Sequence, residues 1–279
     1  MEQRNFGHTR RQVAAIGQGT WQIEVTRKAD AVAALRAGLD LGLTHIDTAE
    51  MYGAGASEQY VAEAIRGRRA EVFLVSKVLP TNASARRTVQ ACERSLKNLG
   101  TDHLDCYLLH WRGDYPLQET LAAFANLQRE GKIRSWGVSN FDVDDLEEAS
   151  AIAGPPVCNQ VLYHVAERAI EHEVLPWCAA HRTAVVAYTP FGRSAALYQA
   201  STAGGRILQQ IAQAHGVTAR QVALRFLLRD PNVFVIPKAI RLEHVSENAA
   251  AESFELTAAE IAAIDQVYQR GARRALPMN

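Results

Sequence analysis

The sequence has no net charge and no long apolar run, and each absence excludes a class of protein. Thirty basic residues balance thirty acidic ones, so no long-range field draws the chain to nucleic acid or to an anionic membrane. No run approaches the roughly 20 apolar residues of a membrane-spanning helix, and the first residues lack the apolar core of a signal peptide. We therefore expect a cytoplasmic protein with neither a nucleic-acid nor a membrane partner.

Cysteine, histidine and glycine patterns typical of metal, disulfide or dinucleotide sites are also missing. The four cysteines form no C-x-x-C pair and lie in apolar segments, which indicates reduced, buried thiols. The nine histidines show no H-x-H or H-E-x-x-H spacing, so a metal-dependent hydrolase is disfavoured and no metal site is predicted. Gly53-Ala54-Gly55 comes closest to a G-x-G-x-x-G fingerprint but lacks the third glycine, which leaves a Rossmann fold unsupported.

Seven β-branched apolar runs are present, and segments with helical periodicity separate them. The runs end at polar side chains or turns, namely Asp47, Lys77, His110, Asn140, Gln160, Thr189 and Lys238. An opening strand near residues 14–17 brings the number of strands to eight. This alternation predicts one α/β domain over residues 1–279, an eight-stranded (β/α)8 TIM barrel. A short N-terminal hairpin from Arg4 to Val13, turning at Gly7, is expected to cover the bottom of the barrel.

Capping residues and glycines predict where several helices begin and end. An apolar stripe that starts at Ala85 stops at Gly100, because glycine is the usual residue after a helix. Thr257 with Glu260 three residues later forms a capping box. Thr218 is expected to cap a helix that runs to Arg229.

Four polar residues that follow the first strands form a set with a chemical meaning. A lysine at the end of a buried strand needs a counter-charge, and Asp47 can supply it to Lys77. A cation beside a phenol lowers the phenol pKa, so we expect Lys77 to lower the pKa of Tyr52 and make it a general acid near neutral pH. A neutral His110 can then donate a hydrogen bond to a carbonyl oxygen. Because each of these residues alone has an ordinary structural explanation, the prediction rests on their combination.

The same residues belong to motifs that resemble those of the aldo-keto reductases, of the bacterial aldehyde or carbonyl reductase type. The match runs in the family's order from about residue 17 to residue 248. The motifs are GQGTW at 17–21, HIDTA at 45–49 with Tyr52-Gly53, Ser76-Lys77, LLHW at 108–111, GVSN at 137–140, Asn159-Gln160, AYTP at 187–190 and IPK at 236–238. Several ordered motifs make this signal far more specific than any one of them.

The resemblance implies an NAD(P)H-dependent reductase of aldehydes or ketones. It makes Tyr52 the proton donor, tuned by Lys77 and Asp47, and His110 the residue that orients the carbonyl. It implies that residues 139, 140 and 160 hold the carboxamide, that residue 188 stacks on the nicotinamide, and that residues 189–193 cross the pyrophosphate. The full implied cofactor set is Gly19, Thr20, Trp21, Asp47, Ser139, Asn140, Gln160, Tyr188, Thr189, Pro190, Phe191, Gly192, Arg193, Ile236, Pro237, Lys238, Arg241, His244, Glu247 and Asn248.

The chain departs from the family pattern where a 2′-phosphate would bind. Ala239 stands where a serine usually follows the lysine, and His244 stands where an arginine is usual. A neutral imidazole grips phosphate more weakly than a guanidinium does. Because Lys238 and Arg241 leave a cationic site, we predict NADPH as the cofactor, and NADH or dual use stays open.

Aromatic and apolar residues near the catalytic set are expected to wall the substrate pocket. We assign Trp21, Met51, Tyr52, His110 and Trp111 to this wall, with Tyr163 as a weaker candidate. The loop after His110 and the C-terminal tail are short, which predicts an open, permissive pocket for a small carbonyl compound. An alternative is a cofactor-binding regulatory barrel with slow turnover, which resembles potassium-channel β subunits. The family pattern suggests a monomer.

Overall fold

A parallel barrel forms the body of the protein. The computed structural model describes residues 1–278, so Asn279, the last residue of the predicted domain, lies outside the described residues. Eight parallel strands follow one another around the sheet in chain order. They are β3 (Gln18–Gly19), β4 (His45–Asp47), β5 (Phe73–Val78), β6 (Cys106–Leu109), β7 (Trp136–Ser139), β8 (Cys158–Leu162), β9 (Ala184–Tyr188) and β10 (Val233–Val235).

The last strand returns to the first and closes the sheet. Ile16 pairs in parallel with Val235, and the Gly17 amide donates to the Val235 carbonyl at 2.8 Å. The Val235 amide in turn donates to the Ala15 carbonyl at 2.9 Å. The predicted eight-stranded barrel is therefore confirmed. Its opening strand overlaps the predicted residues 14–17, where Ile16 pairs with Val235, and continues into β3 at Gln18–Gly19. That the chain acts as one domain stays a prediction.

The predicted hairpin covers the amino-terminal end of the barrel. Strands β1 (Gln3–Asn5) and β2 (Gln12–Ala14) pair antiparallel, which confirms this part of the prediction. Gly7 has φ +58, and a Cβ there would lie 2.1 Å from the Val157 carbonyl oxygen, so the turn requires glycine. Between the two strands, Phe6 is fully buried and packs on Phe73 and Phe234 with ring centroids 4.6 and 5.1 Å away.

Ten α-helices surround the sheet in the described part of the chain. They are α1 (Lys28–Asp40), α2 (Ala56–Ala64), α3 (Ala85–Leu99), α4 (Leu117–Arg129), α5 (Val143–Ala153), α6 (Val174–Ala180), α7 (Ala203–His215), α8 (Ala219–Leu227), α9 (Leu242–Ala249) and α10 (Ala258–Val267). Gly100 ends α3 with φ 61, and Thr257 and Thr218 cap α10 and α8 with capping boxes. Helix α8 ends at Leu227, two residues before the predicted end at Arg229.

The core has two layers, and both leave the carboxyl ends of the strands free for a site. Side chains such as Val75, Leu108 and Val186 fill the barrel interior, while a larger apolar layer packs the outer face of the sheet against the helices. Because the interior is filled, the open space lies at the strand ends. Among residues 1–278, no helix is long and apolar enough to cross a membrane.

Candidate active site

A buried ion pair lies at the carboxyl ends of two neighbouring strands. Asp47 ends β4 and Lys77 lies near the end of β5, and both side chains are almost completely excluded from solvent. Lys77 Nζ lies 2.5 Å from Asp47 Oδ1 and donates to the Thr48 carbonyl at 2.8 Å. Gln160 Nε2 donates to the second Asp47 oxygen at 2.7 Å. Each charge therefore has partners that offset the cost of burial.

A tight turn brings Tyr52 over this ion pair. Tyr52 begins a 3-10 turn that runs to Gly55, and its hydroxyl lies 3.3 Å from Lys77 Nζ. Gly53 has φ 57, and a Cβ there would lie 2.5 Å from Glu24 Cγ. Gly53 and Gly55, the glycines that most resembled a dinucleotide fingerprint, therefore form the turn that positions the Tyr52 phenol.

The predicted direction of the Tyr52 pKa shift is wrong. Burial raises the pKa of Tyr52 above the ordinary phenol value of 10.0. Lys77 lowers this pKa, the charges of Asp47 and Glu24 raise it, and the net shift is upward. The sequence argument considered the neighbouring cation and omitted the desolvation of the phenolate. Tyr52 is consequently a neutral phenol at pH 7, which is the protonation state of a proton donor.

His110 stands beside Tyr52 as a neutral imidazole. It follows β6, and its ring centroid lies 5.8 Å from that of Tyr52. Burial, together with the charge of Lys77, lowers the pKa of His110 to about 2. Its Nδ1 atom is buried and has no hydrogen-bond partner among the described residues. The neutral state agrees with the predicted role as a hydrogen-bond donor to a carbonyl.

A second set of polar side chains lies at the ends of the next strands. Asn140, with φ 60, donates from Nδ2 to the His110 carbonyl and to Ser139 Oγ, each at 3.1 Å. The Tyr188 hydroxyl donates to Asn140 Oδ1 at 2.8 Å, and Ser139 Oγ donates to the Gln160 carbonyl at 2.8 Å. These bonds fix the amide and hydroxyl groups as one wall beside His110.

One cavity of about 440 Å³ joins the two sets. Arg193, from the loop after β9, reaches across its mouth and lies 5.1 Å from the Trp21 ring centroid. The predicted residues that line the cavity are Gly19, Thr20, Trp21, Asp47, Met51, Tyr52, His110, Trp111, Ser139, Asn140, Gln160, Tyr188, Thr189, Pro190, Phe191, Gly192, Arg193, Ile236 and Lys238.

Some predicted site residues lie outside this lining. Lys77 lies beneath the cavity floor. Pro237 is also outside the lining, and its carbonyl accepts a hydrogen bond from the Gly19 amide at 3.2 Å. Arg241, which precedes helix α9, contacts His244 on that helix. The other two predicted cofactor residues on α9, Glu247 and Asn248, also lie outside the cavity lining. Tyr163 is fully buried and donates to Glu171 at 2.6 Å. The cofactor roles of the α9 residues therefore stay predictions.

The cavity also has two lining residues that the sequence did not point to, Arg220 and Met278. Arg220 is the second residue of α8, and no motif sets it apart from other surface arginines. Met278 lies in the C-terminal tail, so the tail that we expected to leave the pocket open reaches its edge. Only the packing of distant segments brings these residues to the site.

The comparisons with known proteins agree with this geometry. The model of the aldo/keto reductase family matches residues 15–269. The chain belongs to this family. It is 46% identical over 258 residues to methylglyoxal reductase YeaE of Escherichia coli (strain K12), covering 91% of this chain and 90% of that protein. It is 34% identical over 257 residues to glyoxal reductase of Bacillus subtilis (strain 168), covering 90% and 87%.

Solved structures match the whole barrel. The crystal structure of an aldo-keto reductase from Klebsiella pneumoniae in complex with NADPH is 46% identical and covers 100% of both chains, with a TM-score of 0.93. A Klebsiella pneumoniae aldo/keto reductase in complex with NADP and acetate is 47% identical and covers 99% of both chains, with a TM-score of 0.93. The predicted family, barrel and carbonyl-reducing oxidoreductase activity are confirmed.

Proposed function

We propose that the protein reduces small aldehydes and dicarbonyl compounds with NADPH, and that Tyr52 gives the proton. The observation that carries this proposal is the stack of Asp47, Lys77 and Tyr52 at the cavity floor, with Lys77 Nζ 2.5 Å from the carboxylate and 3.3 Å from the phenol oxygen. A neutral His110 stands at the same edge. One pocket therefore holds a proton donor (Tyr52), a cation that stabilises its conjugate base (Lys77) and a hydrogen-bond donor for the carbonyl (His110).

The cavity residues fit a nicotinamide dinucleotide. The amide and hydroxyl wall of Ser139, Asn140 and Gln160 suits a carboxamide, and Lys238 adds a cation at the rim. His110 lines the same cavity as these residues, so its imidazole can contact a bound group. The cavity volume lies in the range of about 300–1,000 Å³ usual for small-molecule sites. NADPH, the predicted cofactor, is also the molecule bound in the similar Klebsiella pneumoniae structure.

The residues of the chain have separate tasks in the reduction. When bound, NADPH supplies the hydride that reaches the carbonyl carbon. His110 donates a hydrogen bond to the carbonyl oxygen and fixes its direction. Tyr52 holds a proton on Oη and gives it to the same oxygen. Lys77 then stabilises the phenolate left on Tyr52, and Asp47 keeps Lys77 charged and in place.

Small dicarbonyl compounds are the substrate class that we favour. Trp21, Met51 and Trp111 line the cavity together with Tyr52, and such bulky side chains suit a short substrate. The two curated relatives described above are named for the reduction of methylglyoxal and of glyoxal. A panel of aldehydes, dicarbonyls and ketones, followed by NADPH absorbance, ranks the substrates.

We also propose that the protein works as a monomer in the cytoplasm and without a nucleic-acid partner. All four cysteines are free and buried, which suits a reducing compartment. The balance of acidic and basic residues supports the absence of a nucleic-acid partner. The regulatory barrel stays the alternative, and steady turnover with a carbonyl substrate separates the two.

Replacement of the proposed proton donor tests the mechanism. Tyr52→Phe should lower the rate of carbonyl reduction by at least about 100-fold, the usual contribution of a general acid. NADPH binding, measured by quenching of tryptophan fluorescence, should stay near that of the wild type. Tyr115→Phe is the matched control, because the Tyr115 hydroxyl contacts Arg87 outside the cavity. Near-wild-type turnover in Tyr52→Phe would show that another group donates the proton.

A further inference from the structure

Arg220 is a cation that lines the cavity and takes no part in the proposed catalytic mechanism. It is the second residue of helix α8 and lines the same cavity as Tyr52. Its guanidinium carbon lies 5.1 Å from the Phe191 ring centroid and 5.3 Å from that of Tyr198. Phe191 belongs to the loop predicted to cross the pyrophosphate. Two aromatic rings therefore hold the guanidinium beside that loop.

The charges around the cavity are unbalanced. Arg193, Arg220 and Lys238 line it, and none of the three takes part in an ion pair within the part of the chain that the structure describes. The one lining carboxylate among those residues, Asp47, is already paired with Lys77. Three cations at one rim, none with a carboxylate partner among residues 1–278, attract an anion.

The position of Arg220 in its helix is unfavourable unless an anion binds nearby. The first turn of α8 contains no acidic residue, and the positive end of a helix dipole repels a cation by about 0.3–1 kcal/mol. Thr218 and Gln221 close a capping box around this first turn, so the backbone that carries Arg220 is firmly held. A bound phosphate would turn the repulsion into attraction, because it interacts favourably with both the guanidinium and the helix end.

We propose that Arg220 binds a phosphate group of the dinucleotide cofactor and thereby compensates for the missing arginine at position 244. The proposal rests on the proposed function, since it needs NADPH in the same cavity. His244 already contacts Arg241 and lies outside the cavity lining, whereas Arg220 lies on it. A guanidinium can grip phosphate bidentately, so one arginine from α8 can replace a contact that the resemblance expects from α9.

Binding measurements with two cofactors test the assignment. Arg220→Ala should raise the Kd for NADPH by about tenfold, in the range for a hydrogen bond to a charged group. The dependence of log Kd on log salt concentration should also become shallower, because one cationic contact is lost. Arg220→Lys should restore part of the affinity, since a lysine keeps the charge and loses the bidentate geometry. Tryptophan fluorescence or calorimetry measures both effects without turnover.

Arg86 offers a matched control. It is the second residue of helix α3 and is exposed, and it does not line the cavity. Arg86→Ala therefore removes a cation from the same helical position and should leave Kd and its salt dependence unchanged. Thermal unfolding should show both alanine variants folded.

The comparison of NADPH with NADH identifies the phosphate. A loss of affinity for NADPH alone assigns Arg220 to the 2′-phosphate and supports both the phosphate contact and the compensation for position 244. An equal loss for both cofactors assigns Arg220 to the pyrophosphate, which supports the phosphate contact and overturns the compensation. Unchanged affinity in Arg220→Ala, with the wild type binding NADPH, would overturn it and leave Arg220 as a packing residue. If the wild type binds neither dinucleotide, the proposed function itself fails.

Discussion

Mildly acidic solution should destabilise the barrel through His45, a histidine with no catalytic task. His45 begins β4 and is fully buried, with ring centroids of Phe6, Phe73 and Phe234 at 5.8, 5.5 and 6.4 Å. Neither ring nitrogen has a hydrogen-bond partner among residues 1–278. Burial, with a smaller effect of the Lys77 charge, lowers the pKa of His45 from 6.5 to about 3. The folded barrel therefore holds this imidazole neutral.

The size of the effect follows from the two pKa values. Above pH 6.5 both the folded and the unfolded chain carry a neutral His45, and the residue adds no pH dependence. Between pH 6.5 and about 3 only the unfolded chain binds the proton, so the free energy of unfolding falls by about 1.4 kcal/mol for each pH unit. At pH 4.5 the loss from His45 is about 2.7 kcal/mol, a large part of the stability of a typical domain.

Urea unfolding at pH 7 and at pH 4.5, followed by circular dichroism, measures this loss. In His45→Leu the loss between the two pH values should be about 2.7 kcal/mol smaller than in the wild type, because leucine fills the space and cannot bind a proton. His110 is unchanged in both proteins and cancels in the comparison. His181→Gln, at an exposed position, should keep the wild-type pH dependence. Equal losses in the wild type and His45→Leu would refute the reasoning.

Two further predictions concern the residues around the ion pair. Lys77→Met should lower the free energy of unfolding by about 3–5 kcal/mol, because it leaves the buried Asp47 without its cation. Adding Asp47→Asn to this variant should restore part of the lost stability, measured by urea unfolding, and no carbonyl reduction, measured by NADPH absorbance. A double variant no more stable than Lys77→Met alone would contradict the charge argument. His110 should stay neutral from pH 8 to pH 5, because its pKa lies near 2. Nuclear magnetic resonance of labelled histidines measures this, and a titration of His110 near pH 6.5 would be incompatible with its burial.

The barrel could be predicted because its signals are local in the sequence. Most strands have a polar residue at or just after their carboxyl end, following an apolar run. The capping box at Thr257 and the glycine at Gly100 mark helix limits within a few residues. The meeting of Asp47 with Lys77 also follows from chain order, because neighbouring parallel strands bring their carboxyl ends together. These features need no knowledge of the packing around them.

The features that escaped prediction depend on packing between distant segments. The sign of the Tyr52 pKa shift is set by how far the phenol is desolvated, and the identity of its neighbours does not reveal that. Arg220 reaches the cavity because the start of α8 lies against Phe191 and Tyr198, which are more than 20 residues earlier in the chain. Met278 lines it because the C-terminal tail returns to the barrel mouth.

The two opposing influences on Tyr52 act at different moments of one proton transfer. Before the transfer, burial keeps the phenol protonated at neutral pH, so a proton is available whenever a carbonyl oxygen arrives. During the transfer, negative charge develops on Tyr52 Oη, and Lys77 Nζ, 3.3 Å away, stabilises it. If only Lys77 acted on Tyr52, the phenol would lose its proton before the carbonyl arrived. If only burial acted, the phenol would hold its proton too tightly to donate it. The pair of effects makes Tyr52 a donor for reduction, with Asp47 keeping the lysine charged throughout.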